Sequence, residues 1–118
     1  MKVLQGQQVL MRIFIGERDH VGHQPLHTAI LNMLRKEQIA GATVVRGMAG
    51  FGAKSHLHST HLLALSQDLP IIIECVDTQA NIDRVMPKID EMVTEGLVTL
   101  EKVEVVRYAP KSKNDNNE

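Results

Sequence analysis

The sequence predicts a small α+β domain of the ferredoxin-like class, with two helices on one face of a four-stranded antiparallel sheet and a long loop between strands 2 and 3. Four apolar, β-branched segments and two segments of helical periodicity follow one another in the order βαββαβ. Two successive βαβ units imply right-handed crossovers, which place both helices on the same face. The length of 118 residues fits one core. We expect one domain over residues 1–109 and a disordered polar tail over 110–118.

The first half of the chain contains a strand, a polar loop and a helix. The strand covers Val9–Ile15, which is apolar and β-branched, and Asp19–Gln24 is the loop. The helix begins near Pro25, which suits a first helical turn, and should run to about Gln38, with Gly41 as its stop. Its apolar face is formed by residues spaced at i, i+4, i+7 and i+8: Leu26, Ile30, Met33 and Leu34.

Three further strands are predicted. The second covers Ala42–Arg46 and the third covers Leu69–Val76, where a proline near the strand start is tolerated. The last lies within Leu97–Tyr108, with a break expected near its charged pair Glu101 and Lys102. The segment after the second strand contains closely spaced glycines that indicate tight turns: Gly47, Gly50 and Gly52.

The second helix follows the third strand. Asp77 or Thr78 supplies an N-cap side chain, and Gly96 follows the helix as its stop. Pro87 should kink the helix, because proline removes an amide donor and crowds the preceding turn. The apolar stripe consists of Ile82, Val85, Met86, Ile89, Met92 and Val93.

The strands carry apolar residues on both faces. Ile71, Ile72 and Ile73 are apolar without alternation, and the first strand has the same character. Helices on one face would leave the other face bare, and an apolar sheet face requires cover. The pattern therefore predicts self-association through the open face.

Composition and charge disfavour several classes of protein. The net charge is −1 and aromatic residues make up 3% of the chain, so neither a basic surface nor stacking platforms for nucleic acid are expected. The single cysteine, Cys75, lies in an apolar run and is predicted to be a buried, inert thiol. No signal-type or membrane-spanning stretch is recognised, which favours the cytoplasm.

The segment from Gly41 to Gly52 carries a resemblance to a known family. Gly41-Ala42-Thr43-Val44, a short spacer and Gly50-Phe51-Gly52 resemble the second strand and loop start of the PII-like signalling proteins. The similarity is greatest to the branch called domain of unknown function 190, in which Leu-Pro also precedes the third strand. It spans about Val9 to Tyr108, almost the whole chain.

The resemblance implies a homotrimer with clefts between subunits that bind an adenine nucleotide such as AMP, ADP or ATP as ligand, with no required cofactor. Thr43 and the backbone at Val76 would meet the adenine. The phosphates would be approached by the remaining residues, of which the last two come from the neighbouring subunit: Gly50, Gly52, Lys54, Gly96 and Arg107.

Some positions depart from the PII pattern. Ala53 and Lys54 stand where PII proteins carry Arg-Gln, and Val93–Leu97 contains the acidic Glu95 and no lysine. So few cations favour a ligand with fewer phosphates, or another small anion. The only tyrosine is Tyr108, so the uridylylated loop tyrosine of some PII proteins has no counterpart.

Other interpretations of these residues stay open. The loop glycines fit a turn or bulge without a ligand, and Arg46 and Arg107 fit surface ion pairs. Six histidines form two groups, and the second group has a spacing that suits an open zinc or copper site as well as solvated loop residues: His20, His23 and His27, then His56, His58 and His61.

The resemblance therefore implies a regulatory protein that works by binding and assembly. Residues 52–68 would form a loop that responds to the ligand and contacts an unidentified regulated protein, with membrane-bound proteins among the candidates. No nucleophile-elbow motif is present, so no catalytic residue is expected. The alternatives are a protein that binds or senses divalent metal through the loop histidines and a purely structural adaptor.

Overall fold

The structure of the chain is a computed structural model that describes residues 4–52 and 68–110. Its main sheet has four antiparallel strands in the order β4-β5-β1-β6, which confirms the ferredoxin-like class. The described elements, in chain order, are β1 (Gly6–Gly16), β2 (His20–Val21), β3 (Gln24–Pro25), α1 (Leu26–Lys36), β4 (Thr43–Arg46), β5 (Pro70–Asp77), α2 (Gln79–Met92) and β6 (Leu97–Val105).

The core lies between the sheet and the two helices. Along β1 and β5, alternate side chains are buried, because successive residues of a strand point to opposite faces. The apolar stripes predicted for the helices supply the other half of this core. The fully buried members are Met11, Ile13, Ile30, Leu34, Ile73, Ile82, Val85 and Ile89.

The opposite face of the sheet has no cover within the described chain. In the strand register, Phe14 pairs with both Ile72 and Leu97, and Val45 also pairs with Ile72, so four apolar side chains form a row there. Leu97 and Val45 are 56% and 44% exposed. A second row, which includes Thr43, is polar and contains ion pairs. These rows and the residues between them are called the open face below.

The end of α1 differs from the prediction. The helix ends at Lys36, and Gln38 has a φ of 62°, so the left-handed residue that ends it is Gln38 and not Gly41. The amide of Ile39 donates to Leu34 O at 3.0 Å. A buried apolar residue three positions after the helix, with its amide bonded back to the last turn, is typical of a Schellman motif. The bond between Ile39 and Leu34 holds the start of the α1–β4 connection against the helix.

Two other elements also depart from the prediction. The predicted loop over 19–24 contains a two-stranded hairpin, β2–β3, whose turn includes Gly22 at a φ of 60°. The predicted break near Glu101 and Lys102 is wrong, because β6 is continuous and pairs with β1 along its length. Both charged residues are exposed on an edge strand, where they need no burial.

Helix α2 begins with the predicted cap. Thr78 Oγ1 accepts a hydrogen bond from the amide of Asn81 at 3.1 Å. The helix continues through Pro87 to Met92 as one element. Within the described ranges, neither helix is long and apolar enough to cross a membrane.

Candidate functional site

Two pockets lie at opposite ends of the sheet. The glycine pocket, of about 500 Å³, contains Gly50, Gly52 and Gly96 and adjoins Phe14. The terminal pocket, of about 530 Å³, adjoins Leu10. Leu10 and Phe14 are four residues apart on β1, which separates them by roughly 13 Å at the rise of a β-strand. A single chain therefore presents two separate concave surfaces.

The glycine pocket is acidic. Asp19 Oδ2 accepts from the Gly16 amide at 3.0 Å, and Asp68 Oδ1 accepts from the Arg18 amide at 3.1 Å. These bonds hold both carboxylates at the pocket, where Glu95 adds a third. Among its described lining residues there is no lysine, arginine or histidine. The local field therefore opposes a highly charged anion.

Two of the pocket's glycines have a structural reason to be glycine. A Cβ at Gly96 would lie 2.6 Å from Phe14 O, which is far too close, and one at Gly50 would lie 3.1 Å from the ring of Pro70. Gly52 differs, because a Cβ there would meet nothing within 4 Å. Close packing thus accounts for Gly50 and Gly96 without a ligand, whereas no packing requirement accounts for Gly52.

The terminal pocket is mostly apolar. Leu4 and Tyr108, near the two ends of the described chain, line it together with Thr43, Val76 and residues of the α1–β4 connection. Among its described lining residues, the charged or hydrogen-bonding side chains belong to Thr43, Tyr108 and Glu74, and none is a cation. Such a wall suits an uncharged group, because a buried phosphate without a cationic partner is costly.

An ion-pair row crosses the sheet beside this pocket. Arg12 Nε donates to Glu74 Oε2 at 2.7 Å, and Arg12 Nη1 lies 3.3 Å from Glu101 Oε1. The hydrogen bond that Arg12 donates to Glu74 is the main cause that raises the pKa of Arg12 above its ordinary value. Thr43 lies directly across from Glu74 in the strand register. The row therefore presents a carboxylate and a hydroxyl at the edge of an apolar pocket.

Next to Val76 of this pocket, Asp77 is fully buried, and its carboxylate accepts hydrogen bonds from three donors. Its Oδ2 accepts from the Ala40 amide at 2.8 Å, and its Oδ1 accepts from the Thr78 amide at 2.7 Å and from Asn81 Nδ2 at 2.8 Å. These bonds tie the α1–β4 connection to the start of α2. Cys75 is buried as predicted, and desolvation, followed by the charge of Asp77, raises its pKa to about 11.

The predicted ligand residues divide between the two pockets. Thr43 and Val76 line the terminal pocket, whereas the three glycines line the other. Arg107 is exposed after β6 and lines neither pocket, and Lys54 lies outside the described residues. Arg46 makes the surface ion pair weighed for it, with Nε 2.9 Å from Glu17 Oε2.

The histidines of the first group are not brought together as a metal site. His20 Nδ1 lies 2.5 Å from Arg18 O, and His27 Nδ1 is buried without a hydrogen-bond partner in the described part of the chain. No group of three metal-ligating side chains occurs among residues 4–52 and 68–110. His56, His58 and His61 lie outside these ranges, as does the tail 111–118, so the metal hypothesis stays a prediction.

The sequence did not indicate the wall formed by Leu4 and Tyr108, or the acidic lining near Asp19 and Asp68. Both arise from residues far apart in the chain. The position of Tyr108 just after a strand that pairs with β1 was the only available signal.

A four-stranded sheet with two helices on one side and an open face on the other is the fold that the chain shares with a solved PII-like protein. The model of the DUF190 family, described as "Uncharacterized ACR, COG1993", matches residues 8–105, and the chain belongs to this family. The resemblance seen in the sequence is therefore confirmed.

Curated relatives agree with this assignment. A UPF0166 protein of Methanocaldococcus jannaschii is 36% identical over 92 residues, which cover 77% of this chain and 84% of the relative. A UPF0166 protein of Aquifex aeolicus is 33% identical over 97 residues, which cover 82% of this chain and 91% of the relative.

A solved structure shares the fold at low sequence identity. CPII, a nitrogen regulatory PII-like protein from Thiomonas intermedia K12 bound to ADP, AMP and bicarbonate, superposes with a TM-score of 0.60. The sequences are 16% identical, and the match covers 90% of this chain and 94% of CPII. At this identity the comparison establishes the fold.

Proposed function

We propose that the protein is a cytoplasmic, non-catalytic regulator that assembles as a homotrimer and binds an adenine nucleotide with few phosphates, or a similar small anion, in the clefts between subunits. The observation that carries the proposal is the pair of incomplete pockets at the two ends of an uncovered apolar sheet face. The ligands of CPII, ADP, AMP and bicarbonate, are of the proposed kind.

The open face supports assembly. Its apolar row is partly exposed in the single chain, and packing against another copy would remove that area from water. The neighbouring polar row is paired internally through Arg12 and Glu74, so it can be covered without leaving these charges unpaired. The open faces of a second and a third copy carry the same apolar row, so they can pack against it.

The charges of the pockets support a cleft built from more than one chain. The described lining of each pocket lacks a cation, yet a nucleotide carries phosphate charge. Exposed Arg107 from a neighbouring copy, together with Lys54, would supply it. Thr43 and Val76 would then contact the base, and Gly50, Gly52 and the neighbour's Gly96 would border the phosphates.

The acidic glycine pocket sets an expected order of affinity. Each added phosphate would approach the carboxylates of Asp19, Asp68 and Glu95, so we expect AMP and ADP to bind more tightly than ATP. Ligand binding would change the order of the segment 52–68 and its contact with a regulated protein.

Calorimetry with AMP, ADP and ATP on the purified assembly tests the ligand, and light scattering tests the trimer. Arg107→Ala should weaken nucleotide binding about tenfold, as expected for loss of a charge-assisted contact. Arg35→Ala, an exposed arginine on α1, is the matched control and should bind normally. Absence of heat and of thermal stabilisation with all three nucleotides would contradict the nucleotide assignment.

A further inference from the structure

The turn over residues 16–19 joins the glycine pocket to the β2–β3 hairpin. Gly16 and Asp19 line the pocket, and the hairpin begins at His20, directly after the turn. The carbonyl of Asp19 accepts a hydrogen bond from the amide of Leu26 at 2.8 Å, which closes the base of the hairpin where α1 begins. The pocket and the hairpin therefore share one short stretch of backbone.

The same turn is bonded to the residues that precede β5. The amide of Glu17 donates to Leu69 O at 2.8 Å, and the amide of Arg18 donates to Asp68 Oδ1 at 3.1 Å. Asp68 also lines the glycine pocket. Its carboxylate therefore connects the pocket wall to the backbone of the turn, so a shift of this side chain removes an acceptor from the turn.

Two carboxylates converge in this part of the pocket. A Cβ on Gly16 would lie 2.9 Å from Asp68 Oδ1 and 3.5 Å from Asp19 Oδ1, so both side chains lie over this glycine. Each is held by one backbone amide, Arg18 for Asp68 and Gly16 for Asp19. A phosphate that enters the pocket would add a third negative group, and the repulsion favours movement of the carboxylates away from their amide donors.

The hairpin can respond to such a change at little cost. Its strands contain two residues each, and none of the four side chains is buried. Val21 is 42% exposed, so the hairpin also presents an apolar side chain outside the open face. Elements with few buried contacts open locally with a small free-energy cost.

We propose that a phosphate group in the glycine pocket displaces Asp19 and Asp68 from the amides of Gly16 and Arg18, and that this loosens the β2–β3 hairpin. The inference rests on the proposed function, because it specifies what the phosphate end of the ligand does. The hairpin is then a second ligand-responsive surface, separate from the segment 52–68.

Hydrogen exchange on the purified assembly, followed by mass spectrometry over residues 16–26, measures the response. Saturating AMP should speed exchange of the Arg18 and Leu26 amides about fivefold, as expected for the loss of one hydrogen bond. Adenosine carries the same base without phosphate, so bound adenosine should leave these rates unchanged. Calorimetry verifies that each ligand occupies the protein, and the amides of α2 provide the reference that should not exchange faster.

A charge-neutral variant separates repulsion from structure. Asp19→Asn combined with Asp68→Asn keeps an acceptor oxygen at both positions and removes both charges. It should bind AMP at least as tightly as the unmodified chain, and its hairpin should not respond to AMP. Asp90→Asn, an exposed carboxylate on α2 outside both pockets, is the control and should respond fully. Circular dichroism verifies that each variant is folded.

The outcomes distinguish this inference from the function on which it rests. AMP binding by calorimetry with unchanged or slower exchange over residues 16–26 overturns the inference and leaves the proposed function intact. An equal response to bound adenosine, or a full response in the charge-neutral variant, overturns the role of the two carboxylates. No binding of AMP, ADP or ATP to the unmodified chain overturns both the proposed function and this inference.

Discussion

Two individual residues, Asp77 and Gly96, determine the backbone connections around the pockets. Asp77 is a fully buried carboxylate that satisfies donors from the α1–β4 connection and from α2. Gly96 lies so close to Phe14 O that a larger residue cannot replace it without moving β1 or β6. Both residues act on the backbone that shapes the pockets, and neither needs to touch a ligand.

Replacement of Asp77 by alanine should be strongly destabilising. The buried side chain would no longer accept from the Ala40 amide or from Asn81 Nδ2, and unsatisfied buried donors cost about 1–3 kcal/mol each. We expect a loss of about 3 kcal/mol in the free energy of unfolding, measured by urea denaturation. Asp90→Ala, an exposed carboxylate on α2, should change stability little. Similar midpoints for the two variants would contradict this account.

Cys75 should be nearly unreactive in the folded protein. Its pKa is raised from 9.0 to about 11, so at pH 8 the thiolate fraction falls about 100-fold, and burial limits access as well. Labelling with a thiol reagent should be slow in buffer and fast in denaturant. Fast labelling in buffer would show that the thiol is accessible.

The raised pKa of Cys75 also makes the stability of the fold depend on pH. The folded state favours the neutral thiol, so the stabilising contribution of Cys75 is fully present below the unfolded pKa and declines between about pH 9 and about pH 11. Cys75→Ser should remove this part of the pH dependence.

At the scale of elements, the order βαββαβ followed from periodicity, because burial of one face imposes a spacing that the sequence displays directly. The end of α1 and the short β2–β3 hairpin could not be predicted from this periodicity. The end of α1 depends on Gln38 adopting a conformation that glycine usually takes, and β2–β3 has strands of two residues each with no buried side chain. The apparent break in β6 reflected only exposure at a sheet edge.

The cap of α2 provides a test at this scale. Thr78→Ala removes the acceptor for the Asn81 amide and should lower the free energy of unfolding by about 1 kcal/mol. Thr78→Ser keeps a hydroxyl acceptor and should retain most of the stability. Thermal denaturation of both variants measures the difference, and equal losses would indicate that the cap bond is unimportant.

At the scale of the whole molecule, the sequence predicted an uncovered sheet face but not a complete site. Thr43 and Val76 line one pocket, while the glycines lie at the other end of the sheet. Spacing along the sequence does not show that residues of one motif, such as Thr43 and Gly50, line different pockets. The terminal pocket also depends on residues near both ends of the chain, which no local pattern connects.

Assembly through the open face predicts a specific disruption. Ile72 lies at the centre of the apolar row, between Phe14 and Val45. Ile72→Glu would place an unpaired charge in the proposed contact, so the trimer should dissociate to monomers by light scattering. Val21→Glu, in the β2–β3 hairpin and 42% exposed, should remain trimeric. A monomeric unmodified chain, or a trimeric Ile72→Glu variant, would contradict assembly through this face.

The meeting of Leu4 and Tyr108 at one pocket also bears on how the protein is made. Pairing of β1 with β6 joins the first and last strands, and contacts of such long sequence separation form slowly because they must close the longest loop. During synthesis from the N-terminus, β6 leaves the ribosome after the other five described strands. A nascent chain therefore has no finished terminal pocket until β6 has emerged, and a ligand bound there would stabilise only molecules in which β1 and β6 have paired.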